Sequence, residues 1–507
     1  HEVEVAVVVE VAPGNASAGR SRSAGNQIVR YFIVAGHRIG HAGQGGRGLG
    51  VVGMNRKNVE ESGREARDGH GLSAAGLKDA DRRDGKAPVR RRQIVGIGRG
   101  FRGVINPVPG DFADAVALRR YPACMANPLH VVIFGASGDL APLAHVALVL
   151  IGEGEAFLNG ARTSGADALR TAGLTPITLE AKEGLALING THLMAASGAL
   201  AISDVGRLWS HAVLACAMSI DASRATDAAL DDRIHMARRQ VGQVIAAESL
   251  RAHLAGSEIV RSHAENDPRV QDPYCLRCAP QVLGAALDGI TACRATVERE
   301  LGAVTDNPLV FGEGRGGDII SGGNFHGMPL AIALDSLVIS VAHIAGIAER
   351  RIFWMLSAFD SESHLKPYLA AGQPGLSSGL MIAQYTAAAC CNEIIGLCTP
   401  ASVSNIGTSA GIEDYNSFGP RAAAKLRRAI ELAENVVAIE LLTAAEGIEA
   451  HRPLQSGAAV EAVHAHIRRA VPKLTRDRPP AADIAAIVEM MRLDVPPDPA
   501  PPDALMP

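Results

Sequence analysis

The chain has 507 residues, 47% hydrophobic and 20% charged, with 49 Lys and Arg against 53 Asp and Glu and a formal net charge of −4. This is a globular composition rather than a disordered one, and its near-neutral balance gives no overall field to draw in nucleic acid or an anionic membrane. Aromatics make up only 4%, so small-residue helix packing is favoured over a β-sandwich core.

Residues 1–128 differ in character from the remainder of the chain. They hold 21 of the 54 Gly and 17 Arg against 3 Lys, and they show almost no helical periodicity. Arg90-Arg91-Arg92 is a bare charge run, and no aromatics interleave with the Arg as a nucleic-acid arm would require. The segment is expected to be disordered, or to be the out-of-frame text that GC-rich DNA yields. Residues 129–495 read instead as one helical domain. Helices are expected at Ala141–Leu150, Ala225–Leu254, Gln281–Leu301, Pro329–Ile352, Gly379–Leu397 and Arg421–Glu449, from apolar residues spaced by three or four. The fourth and fifth are apolar nearly all round, which predicts burial on every side. In the last, Glu431 and Glu434 fit an outer face. The longest apolar stretch, Leu330 to Ala348, carries Asp335 and His343 and is read as a core helix, not a membrane span. Loops rich in Gly, Asn, Pro and Ser separate these helices, and the Pro-rich tail 496–507 is expected to be disordered. Several long helices with few strands imply a mainly α fold, a bundle of long helices.

The eight Cys form no disulfide framework, which points to reduced thiols in a cytoplasm. No basic segment followed by an apolar one opens the chain, so secretion is not expected. Cys275 and Cys278 have one zinc-like spacing, but no second Cys pair or His pair accompanies them, so no metal is expected.

Ordered blocks carry the chemistry. Gly135-Ala136-Ser137-Gly138-Asp139-Leu140-Ala141-Pro142-Leu143-Ala144-His145 comes first, and Lys182-Glu183-Gly184-Leu185-Ala186-Leu187-Ile188-Asn189-Gly190-Thr191 second. Gln271-Asp272-Pro273-Tyr274-Cys275-Leu276-Arg277-Cys278, Asp306-Asn307-Pro308-Leu309, Ser321-Gly322-Gly323-Asn324-Phe325-His326, Met381-Ile382-Ala383-Gln384 and Glu413-Asp414 come after these in that order. Over about residues 130–495 this set resembles the aromatic amino-acid ammonia-lyases, the histidine branch most closely.

The resemblance implies a fumarase/aspartase-like helix bundle. It also implies an electrophile made by the chain itself: the backbone of Ala136-Ser137-Gly138 cyclises and loses water to give methylidene-imidazolone, with no external cofactor. The residue types suit that step. Gly138 has no Cβ to hinder the approach of its nitrogen to the Ala136 carbonyl, Ser137 leaves a methylidene carbon once its hydroxyl departs, and Ala136 is small enough for the tight turn. A second Ala-Ser-Gly at 196–198 has no such context. By the same resemblance, Asn189 and Tyr274 surround the electrophile and the amino group, Phe325 lines the pocket, and Gln271 and Arg277 meet the substrate. A guanidinium fork can grip a carboxylate with two parallel hydrogen bonds. Glu413 matches the acidic residue of histidine lyases, where a carboxylate can pair with an imidazole N–H, although Asn416-Ser417 leans toward the phenylalanine side.

The reaction implied is non-oxidative elimination of ammonia from L-histidine to urocanate, by a homotetramer that shares active sites and takes a small amino acid, with neither nucleic acid nor membrane as partner. A phenylalanine or tyrosine lyase, or an aminomutase, is the alternative within the family. A catalytically dead helical scaffold is the alternative outside it, because residues 1–128 lack the Tyr-Gly-x-Asn-Thr-Gly-Phe-Gly loop whose Tyr is the family's base.

Overall fold

Alternating valines open the chain: Val3, Val5, Val7, Val9 and Val11 recur at the period of a strand. In the computed structural model they form β1 (Val3–Ala12), paired antiparallel with β2 (Ile28–Gly36), which also pairs with β3 (Gly53–Asn55). On its other side β1 meets β4 (Leu129–Ile133), and the sheet continues through β5 (Glu155–Leu158) and β6 (Ala161–Ser164). The structure describes these first four strands as backbone, and beyond them residues 140–312, 317–373 and 375–493, with side chains from 143. The rest of residues 1–128, the Ala136-Ser137-Gly138 triplet and the tail 496–507 lie outside the described residues.

From Leu140 onward the chain is helical. The elements run α1 (Leu140–Leu150), α2 (Gly165–Thr171), α3 (Glu183–Ile188), α4 (His192–Ala222), α5 (Asp232–Arg238), α6 (Val241–Leu254) and α7 (Glu258–Arg261). Then come α8 (Tyr274–Arg277), α9 (Ala279–Leu301), α10 (Met328–Ser357), α11 (Met381–Leu397), α12 (Gly419–Ile448), α13 (Ala458–Ala470) and α14 (Ala481–Leu493), with a short hairpin of β7 (Leu309–Phe311) and β8 (Asp318–Ile320) before α10. The core lies where α4, α9, α10 and α12 pack together. On α10 the spacing works as expected: Leu330, Leu334, Leu337, Val341, Ile344, Ala348, Ile352 and Met355 are all fully buried.

Three expectations need correction. Ala225–Leu254 is not one helix, because Arg239 adopts a left-handed conformation (φ 66°) that ends α5 before α6 begins. Glu434 does not face outward. The C-terminal helix α14 covers that face, and Glu434 is buried against Arg492, whose Nε lies 3.0 Å from it. The α11 helix is not buried on every side: Ala383, Ala387 and Ile394 face inward while Ile382, Tyr385 and Ile395 are exposed. Within α10, Ile332 and Ile339 are likewise exposed.

Two ion pairs cross the core. Lys425 donates to Asp335 (2.6 Å) and to the Thr399 carbonyl, and Asp335 also accepts from the Ser402 N–H (2.8 Å), which fastens the start of the 399–418 loop. Arg351 and Glu440, both with fully buried side chains, pair through two hydrogen bonds, and Ser219 donates to the same carboxylate (2.7 Å). Removing one partner strands the other's charge in the core. Arg351→Met is therefore expected to lower stability by about 3–5 kcal/mol, read by chemical denaturation. A loss under about 1 kcal/mol would mean that water reaches Glu440.

Candidate active site

The 271–278 block is fixed at the end of α4 through Asp272. Its carboxylate accepts from the Thr226 N–H (2.9 Å), and burial pushes its pKa up. Pro273 is extended and starts the short helix α8, so Tyr274 and Arg277 project from one turn. Behind the turn, Arg351 Nη1 donates to the Cys275 carbonyl (3.3 Å), and burial pushes the Cys275 thiol up to about 11.

Gln271, Tyr274 and Arg277 share one open cleft of about 410 Å³ with Arg269, Trp354, Phe359 and Asp360. The two arginines differ in their engagements. Arg269 is ion-paired to Asp267 (2.7 Å), Asp360 (3.2 Å) and Asp272 (3.6 Å), and its hydrogen bonds hold the Asp267 carboxyl down at about 2. Arg277 donates Nε to the Asp272 carbonyl (2.9 Å) and lies 4.4 Å over the Tyr274 ring, and among the described residues no carboxylate pairs with it. Arg277 is thus the guanidinium of the cleft that can accept an incoming carboxylate. The sequence reading missed Arg269, Trp354, Phe359 and Asp360. A signal was available: Phe353, Trp354 and Phe359 cluster in a chain that has only 10 Phe and 2 Trp.

Asn189, Phe325 and Glu413 belong to a second group. Asn189 ends α3 and donates Nδ2 to Asp306 (2.9 Å), whose other oxygen meets Lys182 (2.8 Å). Gly190 follows at φ 144°, where a Cβ would overlap the Thr305 carbonyl, so glycine is required there. Asn307 Oδ1 accepts from the Gly322 N–H (2.7 Å) and the Ser321 hydroxyl (3.1 Å), which ties the Asp306 block to the Phe325 loop. His326 Nε2 in turn meets the Tyr415 carbonyl (2.9 Å). The exposed Glu413 accepts from the Thr408 hydroxyl (2.9 Å) and pairs backbone to backbone with the same residue (2.8 Å). The helix that starts one residue after Asp139 packs on the segments flanking Asn189, since Leu143 and Val146 share a cluster with Leu187, Ile188 and Leu193.

One chain does not join the two groups. The Phe325 loop precedes Met328 at one end of α10, whereas Arg351 and Trp354 meet the Arg277 turn near the other end. At 1.5 Å per residue the intervening helix spans about 35 Å. On one chain the two groups stand apart.

The family model for aromatic amino acid lyases matches residues 133–469. Histidine ammonia-lyase of Koribacter versatilis (strain Ellin345) is 50% identical over 368 residues, covering 71% of this chain and 71% of that protein. That of Sorangium cellulosum (strain So ce56) is 47% identical over 416 residues, covering 80% and 79%. Among solved structures, histidine ammonia-lyase from Trypanosoma cruzi superposes with a TM-score of 0.66 at 40% identity, covering 72% of this chain and 69% of that one. Tyrosine aminomutase from Streptomyces globisporus gives 0.66 at 33% identity, covering 71% of each. The helical fold, the ordered blocks and these likenesses agree: the chain belongs to the aromatic amino acid lyase family and is a carbon–nitrogen lyase.

Proposed function

We propose that this lyase removes ammonia from L-histidine to give urocanate, as a step of histidine degradation in the cytoplasm, at sites completed by neighbouring copies of the chain. The observation that carries the reading is the Arg277 cleft. It offers a guanidinium with no carboxylate partner among the described residues, beside Tyr274 and Gln271 and in front of an aromatic wall. Arg277 takes the substrate carboxylate, and Gln271 and Tyr274 offer hydrogen bonds beside it. Asn189, Phe325 and Glu413 from another copy face the amino group and the side chain, and Glu413 accepts the imidazole N–H. Methylidene-imidazolone made from Ala136, Ser137 and Gly138 would supply the electrophile that loads the amine, and Asn189 would hold it; Leu187 and Ile188 just before Asn189 pack against α1, which supports this reading.

Assembly has physical support. Ile332, Ile339, Ile382, Tyr385 and Ile395 leave apolar surface on two core helices, and symmetric association is the ordinary way to cover such surface. The half-sites at opposite ends of α10 also need a second copy to become one site. A homotetramer would have four times the 52.8 kDa chain mass.

Production of urocanate from L-histidine by the purified chain, in preference to product formation from L-phenylalanine or L-tyrosine, tests the reading. Phenylalanine or tyrosine turnover exceeding that of histidine would replace it with the alternative substrate or with an aminomutase. A chain with neither chromophore nor turnover would be a scaffold. Glu413→Gln is expected to lower kcat/KM for L-histidine about tenfold more than for L-phenylalanine, about one lost charge-assisted hydrogen bond. Equal losses would remove Glu413 from the imidazole. Residues 1–128 contain no Tyr-Gly-x-Asn-Thr-Gly-Phe-Gly loop, and a positioned base contributes roughly 10²–10⁴-fold. Turnover is therefore expected to rise by about that factor when a leader carrying the loop replaces them. Undiminished turnover by the chain as written would place the base elsewhere.

A further inference from the structure

Met194 lies five residues beyond Asn189, in the first turns of α4, and is 1% exposed. Its thioether sits where three segments meet. A Cβ on Gly327 would overlap the Met194 Sδ and Cε, and a Cβ on Gly419 would come within 2.5 Å of Sδ and 2.9 Å of Cε. The backbone does not demand glycine at either place. Gly327 has φ −77° and ψ 15°, and Gly419 opens α12 without a positive φ. The sulfur and methyl of Met194 occupy the space that a side chain at either place would need.

Gly327 follows Phe325 by two residues and closes the loop into α10, while Gly419 closes the Glu413 loop into α12. The two loops are joined to each other by His326 and the Tyr415 carbonyl at 2.9 Å, and to the Asn189 end of α4 through Asp306 and Asn307. Met194 Sδ and Cε thus lie on α4 against the ends of both loops. An unbranched, polarizable side chain can enter the space between two glycines where a β-branched or aromatic one could not.

We propose that Met194 is a positioning residue that sets the spacing between Asn189 and the loops bearing Phe325 and Glu413, and with it the room for the substrate side chain. The second part rests on assigning those loops to the side-chain end of the substrate.

The test is a double-mutant cycle on the full chain, read by amide hydrogen exchange. Met194→Ala and Gly327→Ala should each raise exchange at the Gly322 and Asn416 amides, which donate to Asn307 (2.7 Å) and Asn405 (2.9 Å), by about tenfold or more. Amides in the middle of α12 should stay protected. The double variant should return both loop amides to within about threefold of the parent, because removing the thioether makes room for the new methyl. Met194→Leu should keep most of the protection. Met218→Ala, fully buried farther along the same helix, should leave the loop amides alone. A Gly327→Ala chain with unchanged loops, a double variant no better than the worse single one, or a Met194→Ala chain that loosens α12 as much as the loops would each overturn the proposal. Equal effects of Glu413→Gln on both substrates would overturn the substrate reading and leave this cycle as it stands.

Discussion

Ser137→Ala, in the chain given a leader with the Tyr-Gly-x-Asn-Thr-Gly-Phe-Gly loop, is expected to abolish the near-ultraviolet absorbance that methylidene-imidazolone adds to that of Trp and Tyr, and to cut ammonia elimination by at least about a thousandfold, roughly 4 kcal/mol of barrier. The reasoning begins with leaving groups. An amine departs poorly and the β-hydrogen is barely acidic, so an electrophile must load the nitrogen, and no unmodified side chain is one. Ser137 is the residue whose lost hydroxyl would leave the methylidene carbon, and alanine has no hydroxyl to lose. Ser197 provides the control. It repeats the Ala-Ser-Gly text, but it lies buried inside α4, where the backbone is committed to helical hydrogen bonds and Gly198 packs against Val297 and Leu334. Ser197→Ala should keep the chromophore and change stability by less than about 1 kcal/mol. The reverse pattern, with absorbance lost in the Ser197 variant and kept in the Ser137 variant, would refute the assignment.

Arg277→Lys should lower kcat/KM by roughly 2–4 kcal/mol of transition-state stabilisation, about 30- to 1000-fold. Charge is kept in this exchange, so the loss measures geometry: an ammonium cannot present two parallel donors to a carboxylate. The neighbouring arginine sharpens the expectation. Arg269 is already held by three aspartates and by the carbonyls of Ser223 and Arg224. Arg269→Lys should therefore act mainly on stability, and Arg277→Lys mainly on KM and kcat. A larger kinetic effect at Arg269 than at Arg277 would exchange their roles.

How far the sequence could be read depended on range. Apolar residues three and four apart specify α10 and α12 to within a few residues, since that periodicity is local. The same logic ran one helix through Arg239, because a single left-handed residue leaves no mark on the apolar pattern. It also put Glu434 on the outside, because periodicity separates one helix face from another without saying which later segment will cover it. Here that segment is α14, which supplies Arg492. Trp354 and Phe359 went unassigned because a cleft is made of residues distant in sequence, and only packing shows that they stand in front of Arg277.

By itself the sequence determined the helical class, the ordered blocks that place the chain among the aromatic amino acid lyases, and the residue types needed to grip a carboxylate. The tertiary structure decided how those residues are distributed. A rigid 30-residue helix holds Phe325 and Arg277 near opposite ends, three aspartates occupy Arg269 and leave Arg277 open, and one thioether fits between Gly327 and Gly419. The physical reason is that backbone periodicity is written in neighbouring residues, whereas the partner of a charge and the distance between two loops are fixed only when remote segments pack.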